Sequence, residues 1–258
     1  MTTASPHPSF LRLFRAELDR HARRRSTWVG ALIMLALCMV ARFDGYTDAF
    51  DHLLICTTFG AMWGYLTAVA NVGGDIRSGA LGTWLTFHPR RQRVWWARLL
   101  AIIVTTAIGV LATILLITST HLPAVVTSTG HGLGWRLPVA LLVPVCTAIM
   151  GAATAALCGS TLSALGVAAG YLTLLFVSSV LIPDLSGTWG PVAPIGDLFD
   201  GINNYNSYSR GHPDSGTSYD LPFWAMIRLL IWTLALGVVG TLRWSRCLLY
   251  TSDAADDS

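Results

Sequence analysis

VWWARLLAIIVTTAIGVLATILLITS, residues Val94–Ser119, carries a single charge, Arg98, in 26 residues. At about 1.5 Å of rise per residue, a helix of this length exceeds the roughly 30 Å hydrocarbon core of a bilayer. Hydrocarbon offers no hydrogen bonds, so a helix is the one local structure that satisfies such a backbone from within. Five other stretches read the same way: Thr27–Phe43, Leu53–Val72, Leu137–Leu157, Ser160–Ile182 and Leu221–Thr241. Apolar residues make up 53% of the chain and charged residues only 12%, about half the charged share of a water-soluble domain. The expected fold is therefore all-α and polytopic, with six transmembrane helices in one domain spanning residues 1–246.

Arginine placement sets the expected orientation, because cytoplasmic loops retain basic residues. The seventeen basic residues are all Arg. With the N-terminus inside, Arg12, Arg15, Arg20, Arg23, Arg24, Arg25, Arg77, Arg90, Arg91, Arg93, Arg98, Arg243 and Arg246 fall on the cytoplasmic side. The other side collects acids, among them Asp44, Asp48, Asp51, Asp184, Asp197, Asp200, Asp214 and Asp220. A multi-pass plasma-membrane protein with a cytoplasmic N-terminus and no cleaved leader is the expectation. Without Lys, the chain has neither the usual phosphate-binding loop nor a Schiff-base nucleophile. Its six spans contain no Asp or Glu of the kind ion-coupled carriers use. The His residues show no metal-ligand spacing, and Cys38, Cys56, Cys146 and Cys158 read as small buried hydrophobes. No cofactor, metal, catalytic residue or nucleic-acid partner is expected. Arg228, well inside the last span, snorkels outward or, as a weaker reading, meets an anionic substrate. The tail Cys247–Ser258, CLLYTSDAADDS, resembles translated sequencing-adapter DNA, which places the expected natural end of this segment near Arg246.

Two segments between the spans are patterned. Phe10, Leu11, Phe14 and Leu18 recur at helical steps among charges, which predicts an interfacial amphipathic helix with Arg23, Arg24 and Arg25 meeting anionic lipid. After the second span comes GGDIRSGALGTWLTFHPRRQRVWWARLL, Gly73–Leu100. There Asp75 suits a helix start, Leu81, Trp84, Leu85 and His88 share one face, and Pro89 ends the run. Gly79 and Gly82 each cost such a helix about 1 kcal/mol, so it needs a packing partner. Arg90, Arg91 and Arg93 then form a cationic cluster beside Trp95 and Trp96, which suit the membrane interface. Within the spans, Gly151-Ala-Ala-Thr-Ala-Ala and Gly166-Val-Ala-Ala-Gly170 offer small faces, expected to pack internally rather than between subunits. Pro144 is a candidate kink.

The run from Asp75-Ile-Arg77-Ser-Gly79-Ala-Leu81 to Pro89-Arg90-Arg91-Gln-Arg93 resembles the acid-x-x-x-G-T…P-R-x-R signature of ABC-2 type exporter permeases. Arg15–Trp28 is similar to that family's amphipathic entry, and the six spans with a long segment before the last follow its order. Ala80 stands where the family often has Thr. The resemblance implies that Asp75–Arg93 is a cytoplasmic coupling helix docking on a separate ATPase subunit, which would hold ATP and Mg. It implies a second permease subunit, the same or similar, and outward movement of a small molecule or lipid. It also implies short re-entrant helices closing the exit, with Trp189, Pro191, Pro194 and Phe199 as gate candidates. Val192–Ile202 is apolar enough to dip into the membrane. A non-transporting anchor or assembly subunit, and an ATP-independent carrier, are the alternatives.

Overall fold

The computed structural model of the protein describes residues 9–43, 49–78, 91–119, 133–181, 198 and 221–246. Among the described residues seven helices are defined: α1 (Phe10–Arg23), α2 (Arg25–Phe43), α3 (Ala49–Arg77), α4 (Arg91–Ser119), α5 (Leu133–Cys158), α6 (Thr161–Leu181) and α7 (Leu221–Arg246). No strand occurs among the described residues. Four stretches are long and apolar enough to cross a membrane: Leu53–Arg77, Gln92–Ile117, Leu137–Cys158 and Trp224–Ser245. Arg25–Val40 and Thr161–Leu174 are shorter apolar helices. These overlap the six stretches read from the sequence, with ends that differ, and four of them are long enough to cross a membrane among the described residues.

Contacts between neighbouring helices alternate in direction. Gly60 and Gly64 of α3 face Val110 and Thr106 of α4, so that pair is antiparallel, and Gly30 of α2 faces Trp63 of α3 while Cys38 meets Cys56, so α2 and α3 are antiparallel too. Along α3 and α5, by contrast, Ala61 O accepts from Thr147 Oγ1 and Tyr65 lies against Gly151, so those two helices run parallel. Gly151 is required there: an added Cβ would sit 2.6 Å from the carbonyl oxygen of Tyr65. The small run Gly151–Ala156 thus packs internally, as its composition predicts, with Ala152 and Ala155 fully buried. Gly166 and Gly170 behave otherwise. A Cβ at either would meet nothing within 4 Å among the described residues, so the internal packing expected of that face is not made there. α5 continues through Pro138 and Pro144. It ends at Gly159, whose φ of 73° is the left-handed conformation that terminates helices. Ser160 Oγ then accepts from Ser163 N at 3.1 Å and caps α6. Leu198, the one described residue of the segment before α7, is buried with Val143 of α5 and Leu229 of α7.

Large apolar side chains cover the outside. Leu32 on α2, Ile108 and Leu115 on α4, Leu174 on α6, and Leu234 on α7 are each more than half exposed. Continuous apolar surface on this scale would be unstable in water and is the ordinary exterior of helices in lipid. The chain is a membrane-embedded helical protein.

The second helix boundary differs from expectation. Instead of stopping at Val72, α3 runs through Gly73 and Gly74 to Arg77, with Gly73 letting the backbone of Thr161 approach. Asp75 therefore does not start a helix but lies in the last turn of one.

Candidate functional site: a buried ionic junction

An acid in the last turn of a helix opposes the helix dipole and needs compensation. Asp75 is also only 5% exposed, which makes an unpaired carboxylate there untenable. Three arginines meet it. Arg20 Nη2 donates to Oδ1 at 2.7 Å, Arg24 Nη2 donates to the same oxygen, and Arg98 Nη2 pairs with Oδ2 at 3.0 Å. Two of the three come from α1 or its C-terminal flank and the third from α4. Asp75 is thus the point at which three chain segments are pinned together.

A second acid completes the network. Glu17 of α1, buried, accepts from Arg98 Nη2 at 3.2 Å and lies 3.7 Å from Arg20 Nη1. Arg98 is itself 2% exposed, and its guanidinium sits 5.8 Å from the centre of the Trp244 ring on α7, within cation–π range. Trp244 stacks at 4.7 Å on Trp95, whose Nε1 donates to Thr241. The last turns of α7 therefore close one flank of the junction. Trp95 is buried in this role instead of lining the membrane interface as expected, because Thr241 satisfies its N–H; Trp96, 52% exposed, keeps the interfacial position.

The hydrogen bonds fix a protonation state. Arg24 Nη1 donates to Asn71 Oδ1 at 2.6 Å. A guanidinium has no acceptor, so the Asn71 amide must turn its oxygen that way and its NH2 toward His21 Nε2, 2.8 Å distant. His21 Nε2 must then be unprotonated. Burial, together with the positive charges of Arg24 and Arg98, lowers the His21 pKa from 6.5 to about 4, against the pull of Asp75. With His21 neutral, two carboxylates face three guanidiniums, so the junction is a fixed-charge clamp with a surplus positive charge.

Of the residues singled out in the sequence, Asp75 is the centre of the junction. Arg77, two residues on, and Arg93, in the first turn of α4, are exposed, and Arg91 is the first residue of α4. Gly79, Leu81, Trp84, Leu85 and Arg90 lie outside the described residues, as do Trp189, Pro191, Pro194 and Phe199. Arg228 is partly buried near the start of α7, about 24 Å along that helix from Trp244. Arg23 and Arg25 are exposed as anticipated for lipid contact, but Arg24 turns inward. The sequence reading missed Glu17, His21, Asn71 and Arg98. Their signals were present: Glu17 and His21 follow the buried Leu13 at four-residue steps, on the same side of α1 as Phe10 and Phe14, and Asn71 precedes Asp75 by one turn. No protein-family model matches this chain, and no curated protein matches it.

Proposed function

We propose that this chain is the permease subunit of an ATP-binding-cassette exporter of the plasma membrane. In this reading it has six spans and a cytoplasmic N-terminus, works as a pair of permease subunits, and docks a separate ATPase at residues 75–93. The observation that carries the reading is the grip on Asp75 by Arg20, Arg24 and Arg98. The segment after Arg77 is tied at one end to α3 and at the other to α4, and both are bolted to α1 by buried charge. A push on that segment would move the junction as one unit, and α7 with it through Trp244. Orientation is supported by the exposed Arg12, Arg15, Arg23, Arg25, Arg77, Arg93 and Arg243, which lie along α1 or near the start of α2 and α4 and the end of α3 and α7. Six crossings are supported by the six apolar helices α2 to α7, the first four of which alternate in direction.

Affinity purification of the tagged chain from its native membranes should bring down vanadate-inhibited ATP hydrolysis. Arg90→Glu with Arg91→Glu should remove that activity from a chain that still inserts. Asp75→Asn should instead keep the ATPase bound and uncouple hydrolysis from transport. A folded, inserted chain that never carries an ATPase would favour the anchor or ATP-independent carrier readings and end this one.

A further inference from the structure

A cavity of about 200 Å³ opens between α2 and α3 on the flank that faces hydrocarbon. Ser26, Gly30 and Met34 form one wall, with Trp63, Thr67 and Ala70 opposite. Gly30 leaves the floor to backbone and to the Trp63 indole, since a Cβ there would lie 2.9 Å from Trp63 Cδ1. The rim residues Ile33, Met62 and Leu66 are 54%, 47% and 44% exposed. The lining is mostly apolar, which suits a hydrocarbon chain; its polar points are Ser26, Thr67 and the buried Trp63 Nε1, which has no hydrogen-bond partner among the described residues. It runs about 12 Å along α2 from Ser26 to Met34, parallel to the direction of a lipid tail.

The mouth is charged. Ser26 directly follows Arg25 and lies three residues after Arg23, and both arginines are exposed. The third arginine of that run, Arg24, is taken by Asn71 and Asp75 and does not compete. An apolar slot whose open end adjoins two exposed arginines with no partner among the described residues has the charge and shape complementarity of an anionic phospholipid: phosphate at Arg23 and Arg25, one acyl chain in the slot.

We propose that the α2–α3 groove is a binding site for one anionic phospholipid of the leaflet on the α1 side. This inference goes beyond the exporter reading and needs no ATPase. A bound lipid would join the headgroup region to the same α1–α2 corner that holds the ionic junction, so occupancy and the position of α1 would be linked.

The test uses the whole chain in nanodiscs containing phosphatidylglycerol or phosphatidylcholine with a diazirine near the middle of one acyl chain, with labelled peptides mapped by mass spectrometry. The phosphatidylglycerol probe should label Ile33–Met34 and Met62–Leu66 in preference to other exposed apolar faces, and more than the phosphatidylcholine probe. Arg23→Gln and Arg25→Gln should each reduce that preference by about fivefold. Ile33→Trp with Leu66→Trp, both at exposed positions, should abolish groove labelling, whereas Leu234→Trp on α7 should leave it unchanged. Equal labelling by both probes, or labelling that follows exposure on every helix alike, would reduce the groove to ordinary lipid contact and overturn the proposal.

Discussion

The junction around Asp75 and the seam between α3 and α5 hold the same helix by opposite means. At the junction, directional pairs between Glu17, Asp75 and three arginines join segments far apart in the chain. Along the seam, Gly64, Ala148, Gly151 and Ala152 bring two backbones close, and Thr147 Oγ1 reaches Ala61 O. The difference follows from the surroundings. Within hydrocarbon, apolar side chains gain nothing from leaving lipid, so close approach and dispersion must bind the helices. Near the headgroups, Arg20 and Arg24 keep about a quarter of their side-chain surface exposed, so water still reaches part of each and an ionic network is tolerable. Such a network tolerates removal of a partner poorly, whereas the seam tolerates addition of atoms poorly.

That contrast orders the expected effects. Asp75→Ala leaves three guanidiniums with only Glu17 and Asn71 to answer them and should cost about 3–5 kcal/mol, as breaking a buried pair does. Thermal unfolding in detergent measures it, and protease cleavage near Arg24 should rise in parallel. A loss of under about 1 kcal/mol would mean that water already screens the junction.

Acid should loosen the same region. The folded-state pKa of His21, about 4, lies below its ordinary 6.5. Between these values the unfolded state binds more protons than the folded one. The stability linked to His21 is therefore intact above pH 6.5 and declines as pH falls toward 4, by up to roughly 3 kcal/mol. Protonated Nε2 would also confront the Asn71 NH2 donor to donor. Amide hydrogen exchange in residues 10–23 should accelerate over this window, and His21→Gln should flatten the response; an unchanged profile in that variant would assign the loosening to the carboxylates.

The seam gives the smaller effect, by the reverse operation. Gly151→Ala places a methyl 2.6 Å from the Tyr65 carbonyl and should cost about 1–3 kcal/mol in detergent melting. Gly166→Ala, with nothing within 4 Å among the described residues, should be neutral or slightly stabilising. Equal losses at both glycines would show that intrinsic helix effects, and not close approach, set the sensitivity.

Much of the fold was legible. The apolar runs, the break at Gly159 and the small face at Gly151–Ala156 each follow from local composition. A helix in lipid must satisfy its own backbone, and a small face is useful wherever it falls. Asp75 was legible as an unusual acid, but its environment was not: the end of α3 depends on how near Thr161 comes to Gly73, and no local pattern encodes that distance. Arg98 looked like a solvated charge at the end of a span for the same reason.

The chain by itself determined that hydrocarbon is its solvent and which stretches form apolar helices, because hydrophobic length and backbone hydrogen bonding are local quantities. Only the tertiary structure decided that Glu17, Arg20, Arg24, Asp75 and Arg98 share one buried site and that Trp95 belongs to its flank. Ionic partners 55 and 81 residues apart are chosen by which helix ends come together. In three dimensions that choice depends on the close packing of all the helices at once.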